Sequence, residues 1–432
     1  MNSLVKKFDQ KMDMKSVDSG NTAEKNIMEK NGLHYAVPLN ISMTKSTGIR
    51  SYHFDRKTYA DGESGATIML QPSNFVNGRK SYLKFDIQVQ DGVTPSDEYN
   101  FGSYGSAFNV IRNIYVTKHG VEMERVRNVN LLKRKQHSFK YDQEVLGRDK
   151  QPWGYRNLTP ASADGDHPNG LTTEDNTSFC LNLSELAGIF DTDQLLPPQI
   201  VSGLELQIDW ESAVTGLVLK TGGAAAASLN FNIVNPQIVL YEHQLEDSVA
   251  RQINMLASSD KGIEIAYVNH DQGRVSTSGT SLVIDNRKVV SKATSEMIVP
   301  RLTANLTNAT KDSFKSEGSG ISSIQHRHGS NFIPTFPIQG TTEQYMVSQD
   351  ALKSDCHGSG SIPLSRFRDY EGLAAISLER THAMGLSGVP VNSNRTLYSE
   401  FTFDNAADRS SDVFLKYIRI ARVYLDRISI VE

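Results

Sequence analysis

The stretch LEDSVARQINMLAS, Leu245 to Ser258, divides this chain. Leu245, Val249, Ile253 and Leu256 recur at helical spacing, so they share one face of a predicted amphipathic helix. Asp247 and Arg251 stand one turn apart on a more polar side, where opposite charges lend a helix weak support. Upstream and downstream the pattern reads as β. The helix is therefore expected to link two all-β halves. The expected organisation is an N-terminal arm over 1–45, a first β domain over 46–244, a helical linker over 245–262 and a second β domain over 263–432.

The β reading rests on alternation. In YLKFDIQVQ, Tyr82 to Gln90, Leu83, Phe85, Ile87 and Val89 point one way and Lys84, Asp86, Gln88 and Gln90 the other. In LELQIDW, Leu204 to Trp210, Leu204, Leu206, Ile208 and Trp210 form an apolar face that predicts sandwich core. Ala107 to Thr117 and the long ending Val413 to Val431 are also β-rich. Phe231 to Leu240 contains Pro236, which suits an edge strand or a kink. NFIPTFPIQ, Asn331 to Gln339, carries two prolines and is expected to be an extended segment that cannot donate a full ladder. Residues 130–180 read as a long loop, and Ser184 is placed to cap a short helix through Phe190. Many short strands, long loops and few helices favour sandwiches or barrels. No internal repeat is visible at the residue level.

Composition narrows the function classes. A chain of 432 residues has room for two or three domains with sizeable cores. A net charge of −4 argues against a chain built as a whole to neutralise nucleic-acid phosphates. No apolar run reaches the ~18 residues that a membrane-spanning helix needs. Met1 to Gly20 lacks the apolar core of a signal peptide, so Cys180 and Cys356 are predicted to be reduced thiols rather than a disulfide. Within 1–32, six lysines stand against five acidic residues, which speaks against a basic genome-binding tail. Val5, Phe8 and Met12 share a helical face there. This segment reads either as a frayed terminus or as a helical arm that docks on a neighbouring subunit.

Taken in order, these elements resemble the double jelly-roll major capsid proteins of tailless double-stranded-DNA viruses, the group of adenovirus hexon, polinton-like viruses and virophages. The resemblance is carried by GSAFNVIRNIYVTKHGVEMERVRNVNLL (Gly105–Leu132), LLPPQIVSGLELQIDW (Leu195–Trp210), NPQIVLYEHQLEDSV (Asn235–Val249), GSNFIPTFPI (Gly329–Ile338) and the closing strands from Leu397, and it covers about 46–432. It implies an all-β chain of two tandem eight-stranded jelly-roll sandwiches with a short N-terminal helical arm and a linking helix. It implies a structural role in the virion: a homotrimer forming a pseudo-hexagonal capsomer of an icosahedral capsid. Neighbouring capsomers, penton and minor capsid proteins would be its partners, with an inner membrane or the packaged genome on the interior face and no small-molecule substrate. The shortness of the chain argues against large tower insertions and leaves 130–180 and 305–330 as the expected outward loops.

No constellation predicts chemistry, so no catalytic, cofactor-binding or metal-ligating residue is assigned and no cofactor is expected. His326 and His328 with Cys356 and His357 form a His/Cys cluster, but their spacing fits polar loops better than zinc. Asp164-Gly-Asp166-His167 lacks the register of a calcium loop. No nucleophile elbow or phosphate loop occurs. Lys133-Arg134-Lys135, the densest basic run, reads as a solvated face rather than a nucleic-acid or membrane contact. Two alternatives stay open. A carbohydrate- or receptor-binding β-sandwich (spike or lectin-like) would use Trp153 with Tyr155, and a β-sandwich glycoside hydrolase would need two carboxylates such as Glu205 and Asp209.

Overall fold

The computed structural model describes residues 44–90, 99–102, 104–141, 145–146, 149–155, 171, 176–219, 230–259, 262–316, 320–353, 362–379, 388–424 and 428–431. The Asp164–His167 turn, Cys356, His357 and the segment 1–43 lie outside them.

Before the helix predicted at 245–258, the strands are β1 (Thr44–His53), β2 (Thr58–Ala60), β3 (Ala66–Leu70), β4 (Phe75–Gln90), β5 (Tyr99–Asn100), β6 (Ile111–Lys118), β7 (Val121–Arg127), β8 (Thr177–Asn182), β9 (Leu204–Trp210), β10 (Val218–Leu219) and β11 (Asn230–Leu245). They form the sheets β1-β11-β4-β8 and β3-β9-β6-β7, with β2 beside β11 and a small β5-β10 ribbon. After the helix come β12 (Ile263–Thr277), β13 (Ser281–Asn286), β14 (Val290–Leu302), β15 (Ile321–His328), β16 (Asn331–Gln339), β17 (Ala374–Ser377), β18 (Val389–Val391), β19 (Leu397–Phe403), β20 (Arg409–Val423) and β21 (Ile428–Val431). These form β12-β20-β14-β17 and β13-β19-β15-β16, with β18 beside β14 and β21 beside β20.

The two sets share one topology. Setting aside the short strands β2, β5, β10, β18 and β21, each set has eight strands. Numbered in chain order, they run 1-8-3-6 in one sheet and 2-7-4-5 in the other. That is the jelly-roll order, and it occurs twice without sequence repetition. Every pairing between named strands is antiparallel, and no sheet mixes strands from the two sets.

The alternation seen in sequence builds the cores. Leu83, Phe85, Ile87 and Val89 of β4 and Leu204, Leu206, Ile208 and Trp210 of β9 are all buried. The Phe85 and Trp210 rings meet at 5.6 Å, closing one sheet of the first sandwich onto the other. Pro236 sits inside a central strand, not an edge. The β11 ladder shifts register between Val234 and Gln237, and Asn235 adopts a left-handed backbone, φ 49°. Of its two expected roles, the kink is the one realised, because a bulge removes the amide that proline cannot supply. The proline-bearing segment is β16, at the edge of its sheet and with an irregular ladder to β15.

Four helices of six residues or more are described: α1 (Val129–Lys140), α2 (Asp247–Ala257), α3 (Gly340–Lys353) and α4 (Leu364–Asp369). Two expectations need correction here. The stretch 130–180 begins not as a loop but as α1, most of whose residues are buried. Likewise 305–330 is not simply an outward loop, since β15 occupies Ile321–His328. Around Ser184 there is one helical turn, Leu183–Leu186, followed by a 3-10 turn at Gly188–Phe190. Helix α2 forms over Asp247–Ala257, while Leu245, read as part of its apolar face, instead ends β11; Val249 and Ile253 are only half-buried and Met255 is exposed. Lys45 holds Asp247 at 2.9 Å, tying its start to β1. No described helix is long and apolar enough to cross a membrane.

Leu206 makes the core reading testable. Leu206→Asp places an unpaired charge between two sheets, so it should abolish soluble folded protein, whereas Leu206→Ala should fold with about 2–5 kcal/mol lower stability. Expression followed by chemical denaturation checks both.

Candidate functional site: the seam between the barrels

Helix α1 starts after β7 and carries VNLLKRKQHSFK. Such a polar sequence favours a solvated helix, yet Arg134, Lys135, His137 and Ser138 are buried along with Leu131, Leu132 and Phe139. The basic run is therefore not the solvated face that its composition predicts. Burying these cations requires fixed partners, and the partners come from the second barrel's loops.

Arg134 is held on three sides. Its Nη1 and Nη2 donate to Oδ1 and Oδ2 of Asp312, both at 2.7 Å, and its Nε donates to Glu371 Oε1 at 3.0 Å. Lys135 Nζ donates to the other Glu371 oxygen and to Ser316 Oγ, the latter at 2.7 Å. Ser316 and Glu371 are neighbours through a parallel β-bridge, with Ser316 N donating to Tyr370 O and Gly372 N to Ser316 O. Two loops of the second barrel thus form one acidic cradle. Arg366 of α4 completes the cluster. Its guanidinium lies 3.3 Å from the Tyr104 ring centroid, and Nη2 donates to Ser138 Oγ at 3.3 Å. Gly102 closes the cradle from behind. Its backbone is left-handed, φ 78°, and a Cβ there would stand 2.6 Å from Asp312 Oδ2. Only glycine meets both conditions.

Electrostatics follow from burial and pairing. Burial works against charge on Arg134, but Asp312 and Glu371 outweigh it and hold the guanidinium above its ordinary value. Burial likewise favours neutral Glu371, and Arg134, Lys135 and Arg366 overcome that and push it below the usual carboxylate range. Burial dominates for Lys135, brought down to about 8, and for Arg366, brought down to about 10. The bidentate fork is the strong element of the cluster.

Two further contacts cross the same seam. Asp412 of β20 accepts from Asn128 Nδ2 at 2.9 Å, Gln272 Nε2 at 2.8 Å and Arg274 Nε at 2.9 Å on one oxygen, and from Arg301 on the other. Asn128 is the residue that opens α1, in a left-handed conformation. Met123 O of β7 accepts from Tyr267 Oη and from Arg419 Nη1, the latter at 2.6 Å. Gly188 lets the two barrels touch, because a Cβ there would lie 2.0 Å from Val268 O.

The other residues singled out by sequence have structural surroundings. Trp153 and Tyr155 are buried, Trp153 stacked on His137 with centroids 5.1 Å apart, so they offer no exposed sugar platform. Asp209 accepts from Gly65 N at 3.0 Å and Asn113 Nδ2 at 2.9 Å, while Glu205 points to solvent on the same strand. Cys180 lies half-buried on β8, where burial pushes its thiol up. His328 Nε2 meets Pro390 O at 2.9 Å. His326 Nδ1 meets Ser399 Oγ at 2.8 Å, and that hydroxyl donates to Glu296 Oε2 at 2.9 Å. Serine lies between histidine and carboxylate here, so the histidine is not oriented as a base by the acid, and all three groups are buried. Burial raises Glu296 to about 7, against the Ser399 and Asn286 hydrogen bonds, and lowers His326 to about 4.

A scan of protein-family models finds no match to this sequence, and no curated protein matches it. Solved structures do match. The PBCV-1 virus capsid, in a quasi-atomic model, aligns at TM-score 0.62 and 10% identity over 92% of this chain and 100% of that one. The Faustovirus major capsid protein aligns at 0.60 and 8% identity over 92% and 94%. The mavirus major capsid protein aligns at 0.53 and 11% identity over 91% and 92%. The chain has the double jelly-roll fold of these capsid proteins.

Two measurements probe the seam and the Glu296 cluster. Arg134→Met leaves Asp312 and Glu371 buried without their main partner, and should cost about 3–5 kcal/mol in denaturant unfolding; a loss below ~1 kcal/mol contradicts the seam's role. For Glu296, a folded pKa near 7 against an ordinary 4.5 means its contribution is present below 4.5 and lost as pH rises through 7. Glu296→Gln should therefore gain stability over the parent between pH 5 and 8, by at most about 3 kcal/mol at ~1.4 kcal/mol per unit. A parent-minus-variant difference that is flat with pH contradicts the assignment.

Proposed function

We propose that this chain is a viral major capsid protein, three copies of which form a pseudo-hexagonal capsomer that tiles an icosahedral shell. The observation that carries the reading is the end-to-end correspondence. Two jelly rolls of one topology, joined through a buried seam, align with capsid structures over nine tenths of both chains. Two barrels per chain and three chains give six barrels, a near-sixfold outline from threefold symmetry. The interface would be heterologous and closing, the kind that makes rings rather than filaments.

The proposed domains are the arm 1–45, a first jelly roll 46–244, a linker 245–262 and a second jelly roll 263–432. Catalysis has no part in this reading. The protein works as a rigid tile in the virion, with neighbouring capsomers, penton and minor capsid proteins as partners. An inner membrane or packaged genome would lie on the interior face, and the arm would dock on an adjoining subunit.

Edge strand β16 is the natural intersubunit surface. Phe332 and Phe336 are exposed there, Phe336 by 77%, and Met346 of α3 is exposed by 60%. Large apolar side chains gathered in solvent mark an interaction site, while the two prolines of β16 discourage open-ended strand addition. Electron microscopy and native mass spectrometry of the purified protein should give hexagonal trimers. The Phe332→Asp/Phe336→Asp variant should give folded monomers. Stable parent monomers that never form shells would refute the capsid reading, and variant trimers would move the interface elsewhere.

A further inference from the structure

The seam joins unlike parts of two barrels that share one topology. On one side are β7, fifth strand of the first barrel, and α1, the helix that follows it. On the other is the outward face of the second barrel's sheet β12-β20-β14-β17. Strand β12, first of its barrel, packs on β7 and on the Gly188–Phe190 turn, and its His270 meets Gln136 of α1 at 3.1 Å. Ile265, Tyr267, Met297 and Ala421 on that outward face are buried in one apolar cluster with first-barrel residues. Ile284, Ile298, Phe401 and Val413 belong to a separate cluster, inside the second barrel. Such a contact is heterologous, so each chain keeps one unused copy of either half. The unused halves are the outward face of β1-β11-β4-β8 and the unit of β16 with α3, the fifth strand of the second barrel and the helix after it.

Exposure follows this difference. Strand β7 buries Met123, Glu124 and Val126, whereas β16 buries only Ile338 and leaves Phe332 and Phe336 in solvent, with Met346 of α3. Strand β12 buries Ile265 and Tyr267, whereas β1 is exposed at every residue from Lys45 to Ser51, Ile49 by 63%. Matching strands of one fold are covered where the sibling barrel reaches them and bare where none does.

Register places the bare residues of the first barrel on one face. Leu83 and Phe85 of β4 point into the sandwich, so Tyr82 points out. Val239 of β11 stands opposite Tyr82, and β1 sets Ser51 opposite Val239 and Ile49 opposite Tyr241. The half-buried rings of Tyr82 and Tyr241 lie 6.4 Å apart. Ile49, Tyr82 and Tyr241 therefore make an apolar and aromatic patch on the outward face of the sheet. We infer that the β16–α3 unit of one copy seats on this patch of a second copy, repeating between chains the contact that each chain makes within itself. The inference rests on the capsid reading for three copies and a closed ring, and it names the surface that receives β16.

The chemistry of the two halves agrees. Phenylalanine, tyrosine and methionine are the side chains enriched at the centres of protein interfaces, and they face each other in this pairing. The donor unit also continues the established seam. Tyr345 of α3 meets Phe367 of α4 at 5.2 Å, and Phe367 meets Phe139 of α1 at 6.1 Å. A shared ladder is not needed: β7 and β12 belong to different sheets within the chain, and Pro334 and Pro337 blunt β16 against strand addition. Side chains of one edge unit lie on the face of the next sheet in both cases.

The test is native mass spectrometry of the full chain, with circular dichroism to confirm folding. The parent should be trimeric. Ile49→Asp should raise the concentration needed for trimers at least about tenfold and keep the parent's spectrum, because Ile49 stands in solvent in the single chain. Should that variant fail to fold, Ser51→Arg puts a bulky charge on the same exposed face and should act alike. Mixing Ile49→Asp with Phe332→Asp/Phe336→Asp should give one-to-one dimers and no trimers, since each variant keeps the half that the other has lost. Unchanged trimers in folded Ile49→Asp and Ser51→Arg would overturn this inference and leave the capsid reading standing. Dimers of Ile49→Asp alone would do the same, by revealing an isologous contact through β16. A parent that stays monomeric would overturn both.

Discussion

The Arg134 guanidinium, gripped by Asp312 and Glu371 from the other barrel, is the constraint on which the rest of this structure depends. A cation at 1% exposure has lost its water, and no apolar neighbour can replace it. The cost is offset only when the fork, the Glu371–Lys135 pair and the Gly102 approach are all in place. A buried network of this kind adds little net stability over apolar packing, but any other arrangement of the barrels leaves charges stranded. The seam therefore selects one relative placement of two sandwiches whose named strands form no common sheet.

That selection is what the proposed shell tile would require. Two jelly rolls joined only by a linker would hinge, and six of them would not hold the hexagonal outline of the proposed capsomer. Fixed through α1, the Asp412 hub and the Met123 carbonyl, they turn as one body. The proposed tile then presents loops and one proline-blunted edge to its neighbours, while the cores stay closed.

Much of the fold is legible in the sequence. The alternations at Tyr82–Gln90 and Leu204–Trp210 correspond to β4 and β9, and Pro236 marks a real bulge. Helix α2 lies within the stretch read as helical, at Asp247–Ala257, with Leu245 ending β11. The seam is not legible, and the reason is physical. Val129–Lys140 reads as a polar stretch because its cations find their carboxylates 178 and 237 positions away. Local composition separates a buried cation from a solvated one only when the partner is near in sequence. For α2 the same limit acts in reverse. Its amphipathic pattern marks the junction in the chain, yet Val249 and Ile253 are only half-buried, while the unpromising α1 does the docking.

Hydrogen exchange measured by mass spectrometry on the full chain tests this directly, because it reports the opening free energy of each segment. If α1 locks the barrels together, its amides should exchange only with global unfolding, in the same slow class as β4, β9, β14 and β20. Exchange of α1 at the rate of exposed loops, with the two barrels protected to different degrees, would show that the barrels stand independently and that the seam does not hold them.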